Sequence, residues 1–111
     1  MDPAQLGWAV GIFEGEGCFS VQTTKGRKYP RITVGMTDRD VVERFADLMG
    51  CGAIYEQSYE NTATPHWKTK YAWMCTKTAD CRRILELFLP HLGHRRAHKE
   101  LDLLELSELK D

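Results

Sequence analysis

The stretch that decides the fold is residues 8–17, which read Trp-Ala-Val-Gly-Ile-Phe-Glu-Gly-Glu-Gly near the start of a 111-residue chain. It completes a predicted helix that Asp2 caps and Pro3 opens, because proline is favoured at the first helical position. We expect this helix to stop at Gly15 and Gly17, since glycine favours helix ends.

A stripe of glycines runs along this helix, because Gly7, Gly11 and Gly15 recur every four residues. A glycine inside a helix costs about 1 kcal/mol relative to alanine, so three in register require a reason. One reason is close approach of a second helix backbone. The other is that the glycines fit beneath the chain's own sheet.

Two acids, Glu14 and Glu16, stand where this helix ends. A helix C-terminus carries partial negative charge and free carbonyl groups, so carboxylates there are unfavourable unless a cation joins them. Carboxylate and carbonyl oxygens are the ligands that hard divalent cations prefer. One carboxylate is a poor metal site, whereas two copies brought together along the glycine stripe would make a reasonable one.

The rest of the sequence alternates hairpins with helices. Period-two alternation predicts strands near 18–24, 29–36, 53–59 and 67–76, with a turn over 25–28. Helical spacing predicts helices from Thr37 or Asp38 to Met49, over 78–88 and over 94–109. The order predicts one α+β domain over residues 1–111, an αββαββα half-domain with a four-stranded antiparallel sheet, followed by a C-terminal helix.

One face of the predicted sheet is polar, because the helices cover the apolar face. Its side chains are of the kinds that hydrogen-bond to base edges and phosphates, although a merely solvated sheet face is the alternative. The predicted DNA-binding set is Ser20, Gln22, Thr24, Tyr29, Arg31, Thr33, Tyr55, Gln57, Lys68 and Lys70 on this face, with Lys25, Arg27 and Lys28 at the turn.

Charge is segregated along the chain, although the net charge is only −1. Residues 21–39 and 66–83 each hold five basic residues against one acid, whereas residues 99–111 hold five acids against two lysines. The overall balance is not that of a strongly basic nucleic-acid binder. The segregation suits a polyanion on one face, with ordinary solvated charge as the alternative.

Composition excludes several classes of protein. With 42% hydrophobic and 28% charged residues, the chain is expected to be a folded globular protein and not a disordered one. No apolar run approaches the ~18 residues of a membrane helix, so no membrane partner is expected. The Met-Asp-Pro start is unlike a secretory signal, so we expect a cytoplasmic location, or an organellar or phage-host interior, and not secretion.

The four cysteines, at positions 18, 51, 75 and 81, include no Cys-x-x-Cys pair. This spacing argues against a zinc knuckle or a redox motif. Each cysteine is therefore expected to be a small buried apolar residue.

Residues 8–17, followed by Cys18-Phe19, resemble the signature of the LAGLIDADG homing endonucleases. The resemblance covers nearly the whole chain, because αββαββα is that family's half-domain, and Thr37–Asp40 and Leu89–Leu92 are similar to family features. One motif in the chain implies a homodimer that acts on a palindromic or near-palindromic double-stranded DNA target. The implied dimer interface contains Gly7, Trp8, Gly11, Ile12 and Gly15.

The resemblance also implies the site residues. Glu16 and the carbonyl group of Gly15 would hold Mg²⁺, with Mn²⁺ possible, and Glu14 falls on an acidic position that is more often structural. Asp38 falls where solvent is commonly oriented. The supporting basic residue falls on Arg95, with Arg96 and Lys99 as alternatives in a shifted register. Metal-activated water hydrolyses the phosphodiester in such a site, without a protein nucleophile.

Two other functions fit part of the sequence. The same fold could serve as a catalytically silent DNA-binding regulator or as an RNA-splicing helper (a maturase) with an RNA partner. The retained Glu16 favours the nuclease over both. An α+β module that dimerises through the glycine stripe without nucleic acid is opposed by the two basic segments and by the polar sheet face.

Overall fold

The chain alternates single helices with β-hairpins. A computed structural model describes residues 1–93. Its elements are α1 (Pro3–Glu16), β1 (Gly17–Thr24), β2 (Arg27–Met36), α2 (Arg39–Met49), β3 (Ala53–Gln57), β4 (Lys70–Cys75), α3 (Thr78–Phe88) and a 3-10 turn (Leu89–His91). The predicted αββαββα order is confirmed, and the predicted helix over 94–109 lies outside the described residues. Within residues 1–93, no helix is both long and apolar enough to cross a membrane.

The four strands form one antiparallel sheet in the order β1-β2-β4-β3, so the two hairpins meet along β2 and β4. The register aligns Phe19, Ile32 and Cys75 across three strands, and all three side chains are buried. Successive residues of a strand point to opposite faces, so this row marks the face that the helices cover. The core between this face and the helices comprises Ala9, Val10, Phe13, Phe19, Ile32, Val34, Val42, Phe45, Met49, Trp73, Cys75, Cys81, Ile84, Leu85 and Phe88.

Helix α1 begins as the sequence predicts. The Asp2 side chain accepts a hydrogen bond from the Gln5 backbone N–H, and the Gln5 side chain accepts one from the Asp2 backbone N–H. This reciprocal capping satisfies two backbone donors at the helix N-terminus. At the other end Gly17 leads straight into β1, and a Cβ atom there would lie 2.7 Å from the carbonyl oxygen of Phe13. Close packing therefore requires glycine at position 17.

The first hairpin turn is shorter than predicted. Only Lys25 and Gly26 form it, both with positive φ (52° and 79°), which is the backbone that two-residue hairpin turns prefer. Arg27 and Lys28, predicted as part of the turn, instead pair with Thr24 and Thr23 in the strand ladder.

The second hairpin is also shorter than predicted. Strand β3 ends at Gln57, and β4 begins at Lys70 and not near residue 67. Trp67 lies in the connecting loop, where its ring packs edge-on against Tyr59 while its side chain stays 55% exposed. The alternating pattern predicted longer strands, but Tyr59 and Trp67 pack against each other in the loop and do not extend the sheet.

Helix α2 begins at Arg39 with Asp38 as its N-cap residue, but the Asp38 side chain makes no capping hydrogen bond. The predicted start of this helix at Thr37 or Asp38 is confirmed, with Asp38 as the N-cap residue, although the backbone N–H groups of the first turn receive no cap from its side chain. The helix ends at Gly50, whose left-handed backbone (φ 72°) is one that glycine adopts without strain.

Candidate metal and nucleic-acid site

The glycine stripe of α1 faces open space. Gly7, Gly11 and Gly15 are exposed, and a Cβ atom built on any of them meets nothing within 4 Å. The interpretation that these glycines fit beneath the chain's own sheet is therefore wrong. The buried side of the helix is formed by Ala9, Val10 and Phe13. Helix α1 therefore has one side packed against the core and a separate glycine side that residues 1–93 leave uncovered.

Trp8 and Ile12 lie beside this stripe and are half-buried against the core. The Arg44 guanidinium lies 4.0 Å from the centre of the Trp8 ring, which is within cation–π distance. The chain itself therefore holds Trp8 in place. The role of both side chains in a dimer interface stays a prediction.

Glu16 is the last residue of α1 and is exposed. Within residues 1–93 its carboxylate makes no hydrogen bond or ion pair, and the last turn of α1 holds no basic residue. The carboxylate and the free carbonyl groups of the helix end thus leave negative charge uncompensated by the described part of the chain. These oxygens have the chemistry that Mg²⁺ prefers, so the Glu16 carboxylate and the Gly15 carbonyl fit the predicted ion.

Glu14 differs from Glu16 in its surroundings. It is half-buried, and its Oε1 atom accepts a hydrogen bond from the backbone N–H of Gly93. Glu14 therefore ties the end of α1 to the chain segment that follows α3. This contact is what a structural acid would make.

Of the other predicted catalytic residues, only Asp38 lies within the described residues. Asp38 is exposed at the start of α2, and its side chain accepts no hydrogen bond from the backbone N–H groups of the first turn. Arg95, Arg96 and Lys99 lie outside the described residues. The meeting of Asp38 and a basic residue around Glu16 therefore stays a prediction.

Most of the predicted DNA-binding set shares the sheet face that none of the helices within residues 1–93 covers. The register pairs Ser20 with Arg31, Gln22 with Tyr29, Thr24 with Arg27, and Gln57 with Lys70. Alternation also places Thr33 and Tyr55 on this face, opposite the buried rows. Three of the set lie elsewhere: Lys25 is in the turn, Lys68 precedes β4, and Lys28 alternates toward the helix side.

Polar side chains on this face are already linked to one another. Gln22 Nε2 donates a hydrogen bond to Ser20 Oγ over 2.8 Å. Hydrogen bonds with Thr24 and then Arg31 lower the pKa of the Tyr29 hydroxyl. Arg31 Nε is buried and has no hydrogen-bond partner within residues 1–93. Since an unpaired buried donor is costly, a side-chain rearrangement that gives Arg31 Nε an acceptor would be favourable.

Three of the four cysteines come together, which spacing along the chain does not predict. The Sγ atom of Cys75 lies 4.0 Å from that of Cys51 and 3.7 Å from that of Cys81. Asp80 brings a carboxylate oxygen to the same place. The expectation that each cysteine is a small buried residue is confirmed for Cys75 and Cys81, holds only in part for the half-buried Cys51, and is wrong for Cys18, which is exposed.

This chain resembles known proteins in its fold and not in its sequence. Its sequence matches no protein-family model and no curated protein. Its fold matches solved structures of homing endonucleases at low sequence identity. The archaeal intron-encoded I-Vdi141I, complexed with DNA, is 18% identical with a TM-score of 0.73, and the match covers 95% of this chain and 67% of that one.

Two further structures show the same likeness. I-CvuI, in complex with its target in the presence of calcium, is 19% identical with a TM-score of 0.74, over 96% of this chain and 68% of that one. The LAGLIDADG homing endonuclease I-GzeII, in complex with its DNA target, is 23% identical with a TM-score of 0.74. That match covers 98% of this chain and 37% of I-GzeII. The fold expected from the sequence signature is thereby confirmed.

Proposed function

We propose that this chain, which has the fold of the LAGLIDADG homing endonucleases, is a site-specific endonuclease that hydrolyses both strands of double-stranded DNA with divalent metal ions. The observation that carries the proposal is the position of Glu16. Its exposed carboxylate has no partner in the described chain and follows directly after a glycine stripe that is uncovered. A carboxylate that only stabilised the subunit would be expected to have a partner within it.

The active form is a homodimer in which the glycine stripes of two α1 helices pack against each other. Two-fold symmetry makes the contact self-complementary, with each stripe facing its own copy. The two Glu16 carboxylates then lie near the symmetry axis, where each helix end adds carbonyl oxygens. Each chain thus contributes one Glu16 carboxylate and its neighbouring carbonyl groups, and the dimer brings two such sets together to form the metal site.

When bound in this dimer, divalent metal ions would supply the acidified water and the positive charge that phosphodiester hydrolysis needs. The residues of the chain hold and orient the reactants. Glu16 and the Gly15 carbonyl bind the ions, Asp38 positions water, and Arg95 supports the site with positive charge. Arg96 or Lys99 takes the place of Arg95 if the register is shifted.

The uncovered sheet face binds the DNA on either side of the cleavage centre. A two-stranded ribbon fits the major groove, where arginine and glutamine can form paired hydrogen bonds to guanine and adenine. Arg31 and Gln22 supply those groups, while Lys70 and the turn lysine Lys25 supply charge for phosphates. Because the dimer is symmetric, the target is palindromic or nearly so.

The test is cleavage of a randomised double-stranded DNA library by the full chain with Mg²⁺, beside a parallel reaction with Ca²⁺. We expect fragments that share one near-palindromic site with Mg²⁺. Glu16→Gln should abolish cleavage and leave DNA affinity within a few-fold, because the change removes a metal ligand and not a DNA contact. Glu86→Gln, which changes an exposed acid on α3, is the matched control and should cleave normally.

Normal cleavage by Glu16→Gln would contradict the metal assignment. If both metals enrich bound but uncut DNA, the protein is a DNA-binding regulator or splicing helper and not a nuclease. If no DNA is enriched at all, the proposed DNA partner is wrong, and RNA binding becomes the next hypothesis to measure.

A further inference from the structure

We propose that Cys51, Cys75 and Asp80 bind one thiophilic metal ion, of the class of Zn²⁺, where the turn before β3, the end of β4 and the start of α3 meet. This site shares no residue with the Glu16 site. It also does not depend on whether the protein cleaves DNA.

The distances suit a tetrahedral ion. The Sγ atoms of Cys51 and Cys75 are 4.0 Å apart, and an Asp80 carboxylate oxygen completes a group in which all three ligand atoms lie within 4.8 Å of one another. Two sulfurs on one tetrahedral Zn²⁺, with Zn–S bonds of about 2.3 Å, stand about 3.8 Å apart. Little movement is therefore needed to form the site, and water can fill the fourth position.

The backbone around Cys51 is held in place before any ion arrives. Gly50 and Gly52 flank it with left-handed φ angles of 72° and 82°. Trp73 Nε1 donates a 2.8 Å hydrogen bond to the Cys51 carbonyl oxygen. A Cβ atom on Gly52 would lie 2.7 Å from the carbonyl oxygen of Met74, so this turn packs tightly against β4. Such preorganisation lowers the ordering cost of binding.

A third cysteine, Cys81, packs against one of the two sulfur ligands. The Cys81 thiol lies 3.4 Å from the Cys75 carbonyl oxygen and 3.7 Å from Cys75 Sγ, so it can donate its hydrogen bond to either atom. The thiolate is the form that binds metal. An ion that binds here therefore displaces the thiol protons of its two cysteine ligands.

Charge at the site also fits this ion. Two thiolates and one carboxylate exceed the charge of Zn²⁺ by one negative unit. Arg83 offsets that excess, because its Nη2 atom lies 3.5 Å from Cys51 Sγ and 3.8 Å from Asp80 Oδ1. Thiolate sulfur selects Zn²⁺ or Cu⁺ over Mg²⁺, so this site and Glu16 call for different metals.

An ion can reach the site from the surface. Cys75 is only 2% exposed, but Cys51 and Asp80 are half-buried. Cys75 and Asp80 line a surface cleft of about 210 Å³, together with Gly52, Ala53, Tyr55 and Met74 among others. Two of the three proposed ligands, Cys75 and Asp80, therefore border a cleft that opens to solvent.

The experiment titrates the full chain, kept reduced by a phosphine, with Co²⁺ and then displaces it with Zn²⁺. We expect one Co²⁺ per chain with the visible bands of a tetrahedral thiolate complex, and loss of those bands in Cys51→Ser and in Asp80→Ala. Cys81→Ala should weaken binding about 10-fold to 100-fold, because Cys81 only supports a ligand. Cys18→Ser and Glu16→Gln are the matched controls and should bind normally.

The proposal is overturned if no thiolate bands form, or if they survive both Cys51→Ser and Asp80→Ala. It is also overturned if the reduced protein binds no Co²⁺ and hydrogen peroxide instead converts the two thiols of Cys51 and Cys75 to a disulfide and water, because the cluster is then a redox pair. A protein that binds Co²⁺ but cuts no DNA contradicts the proposed nuclease alone.

Discussion

The substitution Gly11→Leu should have opposite effects on the stability of the folded subunit and on the stability of the dimer. Gly11 is in the middle of α1, and a Cβ atom there meets nothing within 4 Å. Within one subunit the leucine therefore has room. Because leucine forms helix better than glycine by nearly 1 kcal/mol, Gly11→Leu should stabilise the folded subunit by up to about that amount. For a domain of this size, that gain raises Tm by about 4 °C.

The same leucine should weaken the dimer. Close helix contact leaves no space for the added carbons, and overpacking costs about 1–3 kcal/mol at each site. Two-fold symmetry introduces the leucine twice, so about 2–6 kcal/mol is lost from the free energy of association. Since about 1.4 kcal/mol is a factor of ten in Kd, the dimer should dissociate at least about 30-fold more readily.

The assay combines light scattering over a dilution series with thermal unfolding of the dilute protein. Glu86→Leu is the control, since it adds an equally exposed leucine on α3 and leaves α1 unchanged. We expect Gly11→Leu to be monomeric at concentrations where the control is dimeric, with an unchanged or higher Tm for the subunit. A dimer of unchanged mass in Gly11→Leu would refute the packing of the stripes, and a marked loss of subunit stability would refute the open space beside Gly11.

Two other substitutions test the helix end and the sheet face. Gly17→Ala should lower stability by about 1–3 kcal/mol, because its Cβ atom would lie 2.7 Å from the Phe13 carbonyl oxygen. Thermal denaturation beside Glu86→Ala, a change at an exposed position on α3, checks this result, and equal Tm values would contradict it. For DNA binding, the logarithm of the association constant falls linearly with the logarithm of the salt concentration. Lys70→Ala should make this slope shallower by about one per subunit. Lys77→Ala at the start of α3 is the control, and an unchanged slope in Lys70→Ala would remove Lys70 from the DNA contacts.

Local patterns in the sequence predicted the elements well where one face of each is buried. The α1 cap, α3 over 78–88 and the alternating faces of β1 and β2 match the structure, because side-chain period and capping depend on residues a few positions apart. Prediction failed at the hairpin ends. Arg27 was predicted in the turn but pairs with Thr24 in the sheet, and Trp67 was predicted in a strand but lies in a loop. Turn type and loop packing decide where strand pairing stops, and the alternating pattern does not show them.

The candidate site was likewise predictable from local sequence only in part. Glu16 and the glycine stripe stand out because acids at a helix end and glycines inside a helix are both unfavourable without a partner. The sequence could not say whether the chain's own sheet covered the stripe. That question depends on which face of α1 packs against the core, and the structure places Ala9, Val10 and Phe13 there.

By itself, then, the sequence determined the order of helices and strands, the polar face of the sheet and the position of Glu16 at the end of α1. These features follow from periodicity and helix termini, which act over one or two turns of chain. Only the tertiary structure decided the strand order β1-β2-β4-β3, the exposure of the glycines and the meeting of Cys51, Cys75 and Cys81. These depend on packing between segments far apart in the chain, and no local spacing encodes such contacts.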